Sequence, residues 1–293
     1  MLVNMKEMLN RAMKGSYCVP AFNCFNLDIV PMVIRSAEKL NAPVIINAQE
    51  KGLRYTGFKQ FAAMVTAFAA ETKIPVVLHL DHGQSLEVIE ECLKAGFTSV
   101  MFDGSHLPLE DNIAKTARMV KIATVYGAST EGELGMIPGT ESGIDIALSE
   151  QQYTDPEEAR RFIRETGVDA LAVSIGTIHI MQKKMVTPDQ TLLRQLRSSL
   201  DIPLVLHGGA AVTDQTVREL VAGGINKYNI NFYLNAAFIL GLKKELQSFT
   251  TDLGGGRMGV PVVDILMRVQ AEVAREVCHR IELLGAGGKV NRN

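Results

Sequence analysis

Four of the six histidines in this 293-residue chain stand at or near the ends of short apolar runs. His79 lies inside its run, so we expect it either in the core or behind the site residues, whereas His82, His179 and His207 each follow a different run. A single histidine at such a place is usually a hydrogen-bonded structural group. Three of them at three separate ends predict one shared site for zinc or a similar divalent metal. With an open coordination position, that metal would act as a Lewis acid on a carbonyl or an enediolate.

Carboxylates accompany the histidines. Asp103 and Glu133 end two further runs, and they are candidates either for a second metal position or for simple anchors of loops. Asp81 directly precedes His82, and on a regular strand the two side chains point to opposite faces. Where a strand end turns outward, Asp81 still reaches a substrate, so we predict that it exchanges protons there.

The chain alternates eight short apolar runs with amphipathic stretches, the pattern of parallel strands joined by helices. We predict strands at Tyr17–Asn23, Pro43–Ala48, Pro75–Leu80, Ser99–Asp103, Ala128–Glu133, Ala170–Ser174, Pro203–His207 and Lys227–Asn231. Eight such units predict a (β/α)8 TIM barrel, with a doubly wound open sheet as the alternative. Residues Val260–Leu284 form an extra C-terminal helix in this prediction, and Gly135–Thr154, which includes Gly139 and Gly143, form a mobile loop. In such barrels the working face is the C-terminal end of the strands.

Composition limits the classes of function. The chain is 47% hydrophobic and 21% charged, which suits one large folded domain over residues 1–293. A formal charge of −2 gives no general attraction to nucleic acid or to an anionic membrane. The four cysteines have neither metal-finger nor disulfide-framework spacing, and the N-terminus lacks the apolar core of a signal peptide. We therefore expect a cytoplasmic protein with a small-molecule substrate.

The sequence resembles the class II, metal-dependent ketose-bisphosphate aldolases of the fructose- and tagatose-bisphosphate type. The resemblance covers essentially the whole chain. It rests on Asn229 and on the ordered blocks Ala21-Phe-Asn23, Leu80-Asp-His-Gly, Phe102-Asp-Gly-Ser-His-Leu-Pro, Glu131-Gly-Glu-Leu-Gly, Leu171-Ala-Val-Ser-Ile-Gly-Thr and Leu204-Val-Leu-His-Gly-Gly. It implies reversible aldol cleavage of a ketose phosphate, with zinc or another divalent metal as the cofactor.

The resemblance also implies roles for single residues. It assigns the catalytic zinc to His82, His179 and His207, and an alternative metal position to Asp103 and Glu133. Asp81 would shuttle the proton of the hydroxyl beside the cleaved bond, and Asn229 would steady the enediolate. Further substrate contacts would come from Asn23, Gly208 and Gly209.

Three departures from the family pattern fall on segments that cradle the phosphate of dihydroxyacetone phosphate in that family. Ile180 and Gln182 replace a glycine and an aromatic residue, Ala210 has lost a hydroxyl, and Phe232 replaces another. One interpretation is a changed ligand end: a non-phosphorylated ketone, a differently placed phosphate or a bulkier apolar group. The other is that Tyr233, Asn231 and Lys183 rebuild the phosphate site.

Two alternatives to an aldolase remain from the sequence. A metal-dependent isomerase or epimerase would use the same Lewis acid, and a non-catalytic sugar-binding relative would explain the eroded phosphate segments. The apolar stripe of the C-terminal helix predicts a homodimer or homotetramer. In the resembling family a neighbouring subunit's arginine holds the far phosphate, and Arg275 and Arg280 are both on the matching segment.

Overall fold

The computed structural model describes residues 1–141, 144–179, 185–247 and 262–290. Within these ranges eight parallel strands form a closed barrel. These strands, numbered in chain order, are β1 (Val19–Asn23), β2 (Val44–Gln49), β3 (Val76–Gly83), β4 (Ser99–Phe102), β5 (Ser129–Leu134), β8 (Ala170–Val173), β9 (Leu204–Leu206) and β10 (Ile225–Ile230). Closure follows from the pairing of β1 with both β2 and β10, so the open-sheet alternative is excluded. Each of the eight predicted runs overlaps one barrel strand, and the predicted TIM barrel is confirmed.

Helices surround the barrel and bury its outer face, so the strands are buried on both sides. The helices are α1 (Met5–Lys14), α2 (Val30–Lys39), α3 (Glu50–Thr56), α4 (Phe58–Glu71), α5 (Leu86–Ala95), α6 (Leu109–Val125), α7 (Pro156–Thr166), α8 (Gln190–Ser199), α9 (Asp214–Ala222), α10 (Phe232–Gln247) and α11 (Val262–Leu283). Several begin where a polar side chain accepts from a free N–H of the first turn, as Ser85, Asp155, Asp189 and Thr213 do. None of the helices in the described ranges is long and apolar enough to cross a membrane.

Helix α11 is the predicted extra C-terminal helix. Its buried valines, at positions 269, 273 and 277, repeat every four residues, which is the spacing of one helix face. That face packs on α10 and α2. The C-terminal helix therefore completes the wall of the barrel rather than extending from it.

The segment that we predicted as a loop after β5 contains regular structure. An antiparallel ribbon of β6 (Gly139–Glu141) and β7 (Ile144–Ile146) is followed by a short 3₁₀ helix at Leu148–Glu150. The prediction missed the ribbon because each strand has only three residues, too few to establish an alternating pattern. The predicted mobility of this segment stays a prediction, and Gly143 lies outside the described residues.

An irregularity in β3 directs the consecutive side chains of Asp81 and His82 toward the same end of the barrel. Leu80 pairs with Val100 and Gly83 with Phe102, so three steps along β3 match two along β4. This is a β-bulge, which re-aims side chains and is common beside functional sites. His82 has φ +51°, an unusual conformation for a residue with a side chain. The bulge explains why Asp81 and His82 do not follow the alternation expected of a regular strand.

The bulge predicts that Gly83 is needed for the stability of β3. A methyl group at Gly83 would lie 2.5 Å from the backbone oxygen of Met101 and 3.1 Å from Ile89. We expect Gly83→Ala to lower the free energy of unfolding by about 1–3 kcal/mol through this overpacking. Urea denaturation followed by circular dichroism measures the loss.

Gly52→Ala in α3 is a matched control. Its new methyl group would meet only Phe25 at 3.4 Å, an ordinary contact. Because alanine favours helix, this variant should be as stable as the original or slightly more stable. An equal effect of both substitutions would contradict the proposed role of the bulge.

Candidate active site

The residues that the sequence singled out meet at the C-terminal end of the barrel. A cavity of about 310 Å³ opens there. Its described lining comprises Asn23, Gln49, Asp81, His82, Thr140, His179, His207, Gly208, Gly209, Ala210, Asn229, Asn231, Phe232 and Asn235. Asp103 and Glu133 lie in a smaller adjoining cavity that shares His179. The structure therefore brings all ten predicted site residues into one region.

The three histidines face one another across a small space. Ring centroids are 4.6 Å apart for His82 and His207, 5.2 Å for His82 and His179, and 6.2 Å for His179 and His207. One ring nitrogen from each lies within 4.8 Å of the others, a separation that a single metal ion spans. The backbone N–H of His179 donates to Pro138 at 2.8 Å, so the segment before the β6–β7 ribbon helps to place this histidine.

His207 has one ring nitrogen engaged and one without a hydrogen-bond partner in the described structure. Its Nε2 lies 3.0 Å from Oε1 of Glu131, the arrangement in which a carboxylate orients a metal-binding imidazole. Its buried Nδ1 has no hydrogen bond, and neither does the Glu133 Oε2 atom 3.3 Å away. Buried polar atoms without partners are rare. An imidazole nitrogen and a carboxylate oxygen directed at the same space suit a divalent cation.

A second group of possible ligands shares His82. The ring N–H at Nδ1 donates to Oδ2 of Asp103 at 2.7 Å, and Oε2 of Glu133 lies 3.8 Å from the same nitrogen. The three side chains could hold a cation together. Ser105 orients Asp103 by donating from both its hydroxyl, at 2.7 Å, and its backbone N–H, at 3.2 Å.

The charge of the site favours a cation. Burial would lower the pKa of His207, and His82 adds to this, but Glu131 and Glu133 raise it to about 9. For His82, burial is again outweighed, by Asp81, Asp103 and Glu133, and the pKa rises well above its usual value. Both shifts have the same cause. The buried carboxylates stabilise positive charge at the point where the histidines meet.

Asp81 is a buried, ionised carboxylate held by amide groups. Nδ2 of Asn23 donates to Oδ2 at 2.8 Å, and Nδ2 of Asn229 donates to Oδ1 at 2.7 Å. Gln49 adds a longer bond to Oδ2 at 3.4 Å. Burial alone would raise the pKa of Asp81, but the neighbouring His82 and His207 lower it below its usual range. The geometry leaves a charged oxygen pair beside the histidines, able to accept a proton.

This arrangement occurs on a chain whose sequence matches a known enzyme family. The model of the class II fructose-bisphosphate aldolases matches residues 3–289. The chain belongs to this family. Its members are lyases that make and break carbon–carbon bonds, and they generally depend on a divalent metal. The alternative of a non-catalytic sugar-binding relative is therefore set aside, and the enzyme class predicted from the sequence is confirmed.

Solved structures agree with this family. The YdjI aldolase from Escherichia coli K12 is 29% identical over 99% of this chain and 100% of its own, with a TM-score of 0.86. A protein from Coccidioides immitis assigned as a fructose-1,6-biphosphate aldolase is 26% identical over 97% and 96%, with a TM-score of 0.87. Fructose-bisphosphate aldolase from Campylobacter jejuni, at 23% identity over 98% and 97% and a TM-score of 0.83, supports the fold.

Two of the residues that depart from the class II aldolase pattern line the cavity. Ala210 and Phe232 are lining residues, and Phe232 is 42% exposed. Ile180, Gln182 and Lys183 lie outside the described residues. Gly208 has φ +64°, and a side chain there would overlap the backbone of Ile178 at 2.7 Å. The glycine allows the loop after β9 to pass close to the segment that carries His179.

Sequence reasoning missed the role of two buried charges beneath the aldolase site. Lys227 on β10 is fully buried, and its Nζ lies 3.0 Å from Oε2 of the equally buried Glu131. The same Nζ donates to Oδ1 of Asn229 at 2.8 Å. A charged residue inside each of two strands of a closed barrel was the available signal, because such residues are almost never buried unpaired. Lys227 thereby connects the Glu131–His207 pair to the Asn229–Asp81 pair.

The pKa values of the neighbours follow from Lys227. Burial would raise the pKa of Glu131, but Lys227 and His207 lower it to about 2, so this carboxylate is ionised. Burial and Lys227 together lower the pKa of His79 to about 3. His79 is therefore neutral, with Nδ1 2.7 Å from the Ser99 hydroxyl, and the prediction that it belongs to the core is confirmed.

Removing the Lys227 charge should destabilise the fold. Lys227→Met leaves the buried Glu131 carboxylate with His207 but without its lysine partner, which should lower the free energy of unfolding by about 3–5 kcal/mol. Chemical denaturation measures this loss. The double variant Lys227→Met, Glu131→Gln should recover much of it, because no unpaired charge remains.

Lys94 provides the control, since it pairs with Glu90 on the exposed face of α5. Lys94→Met should leave the free energy of unfolding nearly unchanged. A Lys227→Met variant as stable as Lys94→Met would show that the buried pair does not make the contribution to stability that we propose.

Proposed function

We propose that this chain is a metal-dependent class II aldolase that reversibly cleaves a ketose phosphate, ketose bisphosphate or related sugar. The single observation that carries the proposal is the meeting of His82, His179 and His207 beside the ionised Asp81. Zinc is the cofactor we propose, since three imidazoles with an open position are typical of catalytic zinc sites. Asp103 and Glu133 would form a second metal position with His82. A bound divalent cation would stabilise the negative charge that cleavage leaves on the ketone oxygen.

Asp81 takes the proton in the proposed mechanism. In the cleavage direction it accepts the proton of the hydroxyl beside the breaking bond, and in condensation it returns that proton to the new alkoxide. Asn23 and Asn229 hold the two carboxylate oxygens, so Asp81 cannot rotate away from the substrate. The ammonium group of Lys227 can only donate hydrogen bonds, and it donates to the side-chain oxygen of Asn229. This fixes the orientation of the Asn229 amide, so that its NH₂ group faces Asp81.

The ketone end of the substrate would lie against residues 208–211 and the start of α10. We propose an altered dihydroxyacetone-phosphate pocket, in which backbone N–H groups and carboxamides take the place of side-chain hydroxyls. Gly208 has a left-handed backbone conformation, and Gly209–Ala211 form a 3₁₀ turn. Successive residues in such conformations direct their N–H groups into a concave site for anions. The Asn231 side-chain oxygen accepts from Asn235, so the Asn231 NH₂ group remains as a donor at the cavity.

Further proposals concern assembly and location. Large apolar side chains are exposed on α10 and α11, among them Ile239, Leu240, Val263 and Met267. They support a homodimer or homotetramer. Arg280 is 5% exposed and engaged within its own chain, so Arg275 is the better candidate to reach a neighbouring subunit. A single domain over residues 1–293 and a cytoplasmic location remain predictions from the sequence.

Metal analysis tests the histidine site. The purified protein should contain about one tightly held zinc or equivalent divalent ion per chain. His179→Ala should lose most of this metal, because two ligands hold a zinc ion far less tightly than three. His106→Ala is the control, since this histidine is exposed and outside the cavity, and it should keep its metal. Full metal content in His179→Ala would remove the proposed ligand set.

Proton exchange separates the two halves of the proposed reaction. With dihydroxyacetone phosphate in D₂O, the original protein should exchange a carbon-bound proton of the ketone, as seen by proton NMR. Asp81→Asn should retain metal and exchange but cleave ketose substrates about 10²- to 10⁴-fold more slowly, because only cleavage needs the hydroxyl proton removed. Asp201→Asn, at an exposed position before β9, is the control.

The same experiment distinguishes the remaining alternative. Screening ketoses with and without a phosphate at carbon one, with analysis of the products, identifies the substrate class. Isomerised or epimerised ketose without any three-carbon or aldehyde product would replace the aldolase proposal. Normal cleavage by Asp81→Asn would show that another group moves the proton.

A further inference from the structure

We infer that Tyr233 is a positioning residue for the ketone-phosphate end of the substrate. It holds the loop of residues 208–211 in the shape that directs backbone N–H groups into the cavity. This inference rests on the proposed function. Tyr233 is not among the described residues that line the cavity, so it acts through the loop and not by contact with the substrate.

Two tyrosine hydroxyls bind consecutive carbonyl groups of the loop. Tyr228 donates to the oxygen of Gly209 at 2.6 Å, and Tyr233 donates to the oxygen of Ala210 at 2.8 Å. In a 3₁₀ turn the carbonyls point to one end and the N–H groups to the other. Because the tyrosines bind the carbonyl groups, we infer that the N–H groups of Gly209 and Ala210 face the cavity that these two residues line.

Arg280 fixes the Tyr233 ring from the C-terminal helix. Its guanidinium carbon lies 3.6 Å from the ring centroid, and the side chain is held by Glu276 at 2.6 Å and Asp214 at 3.4 Å. A buried cation over an aromatic face stabilises the ring position. Burial raises the pKa of Tyr233 although Arg280 opposes this, so the hydroxyl is protonated and donates at neutral pH. The contact makes α11 part of the support of the substrate loop.

The support matters in this chain because the loop lacks a hydroxyl of its own. Ala210 offers a phosphate no side-chain donor, so the loop can bind an anion only through its N–H groups. Backbone donors cannot change rotamer to follow a ligand, and their direction depends on how the turn is held. The two tyrosines and Arg280 supply that hold.

Tyr233→Phe tests the inference, since it removes one hydroxyl and keeps the ring under Arg280. Losing one neutral hydrogen bond should raise the KM for dihydroxyacetone phosphate in the exchange reaction by about fivefold. The rate constant kcat should change by less than about twofold, because the reacting groups are untouched. The amide signals of Gly209 and Ala210, followed by NMR during titration with inorganic phosphate, should show a similarly weakened affinity.

Tyr17→Phe is the matched control. Tyr17 is likewise beneath a cation, with Lys289 Nζ 5.4 Å from its ring, but it lies before β1 at the opposite end of the barrel. This variant should match the original protein in KM and in phosphate affinity. Thermal unfolding of both variants checks that neither difference arises from partial unfolding.

The outcomes separate this inference from the proposed function. Unchanged KM and phosphate affinity in Tyr233→Phe would overturn the role of Tyr233, as would an original protein whose Gly209 and Ala210 signals ignore phosphate. Phosphate shifts that weaken in Tyr233→Phe support that role. If they occur without any exchange of dihydroxyacetone phosphate, the loop assignment stands and the proposed aldolase substrate fails.

Discussion

The buried ion pair between Lys227 and Glu131 is the interaction on which the rest of the site depends. Both groups are completely removed from water, so losing either charge strongly destabilises the other. Each partner also orients a residue of the site. Glu131 contacts Nε2 of His207, and Lys227 donates to the amide oxygen of Asn229, whose NH₂ group donates to Asp81. The proposed metal ligand and the proposed proton acceptor are thus aligned by one pair of charges. Moving either charge therefore disturbs both the position of His207 and the position of Asp81.

The bulge in β3 shows how the fold delivers neighbouring residues to one site. A regular strand would place Asp81 and His82 on opposite faces, one inside the barrel and one against the helices. The extra residue and the left-handed conformation of His82 remove this alternation, at a local strain of about 1–3 kcal/mol. The surrounding contacts, including the His82–Asp103 bond, must offset that strain. Backbone strain therefore contributes directly to the assembly of the site.

The sequence was sufficient for the barrel and for the place where the candidate site residues meet, because both depend on periodic or positional signals. Eight apolar runs specify parallel strands, and polar residues at their C-terminal ends must converge when the sheet closes. Glu131 and Lys227 were missed as a pair because their partnership spans 96 positions and is decided by which strands face each other across the barrel. The β6–β7 ribbon was missed because its strands are too short to show alternation. A local sequence pattern identifies helices and strands, but the pairing of two buried charges can be recognised only once the barrel is known to be closed.

The loop after β9 explains how side-chain departures can leave a binding function in place. Losing the hydroxyl at position 210 removes a donor, and on sequence grounds this suggested a different ligand end. Backbone N–H groups are independent of side-chain identity, so the capacity of the loop for an anion depends on its conformation. That conformation is held from behind by Tyr228 and Tyr233, and Tyr233 stands in the segment that itself departs from the family pattern. Under the inference drawn above, the Tyr233 hydroxyl stabilises the backbone arrangement that lets the loop bind an anion without a side-chain hydroxyl at position 210.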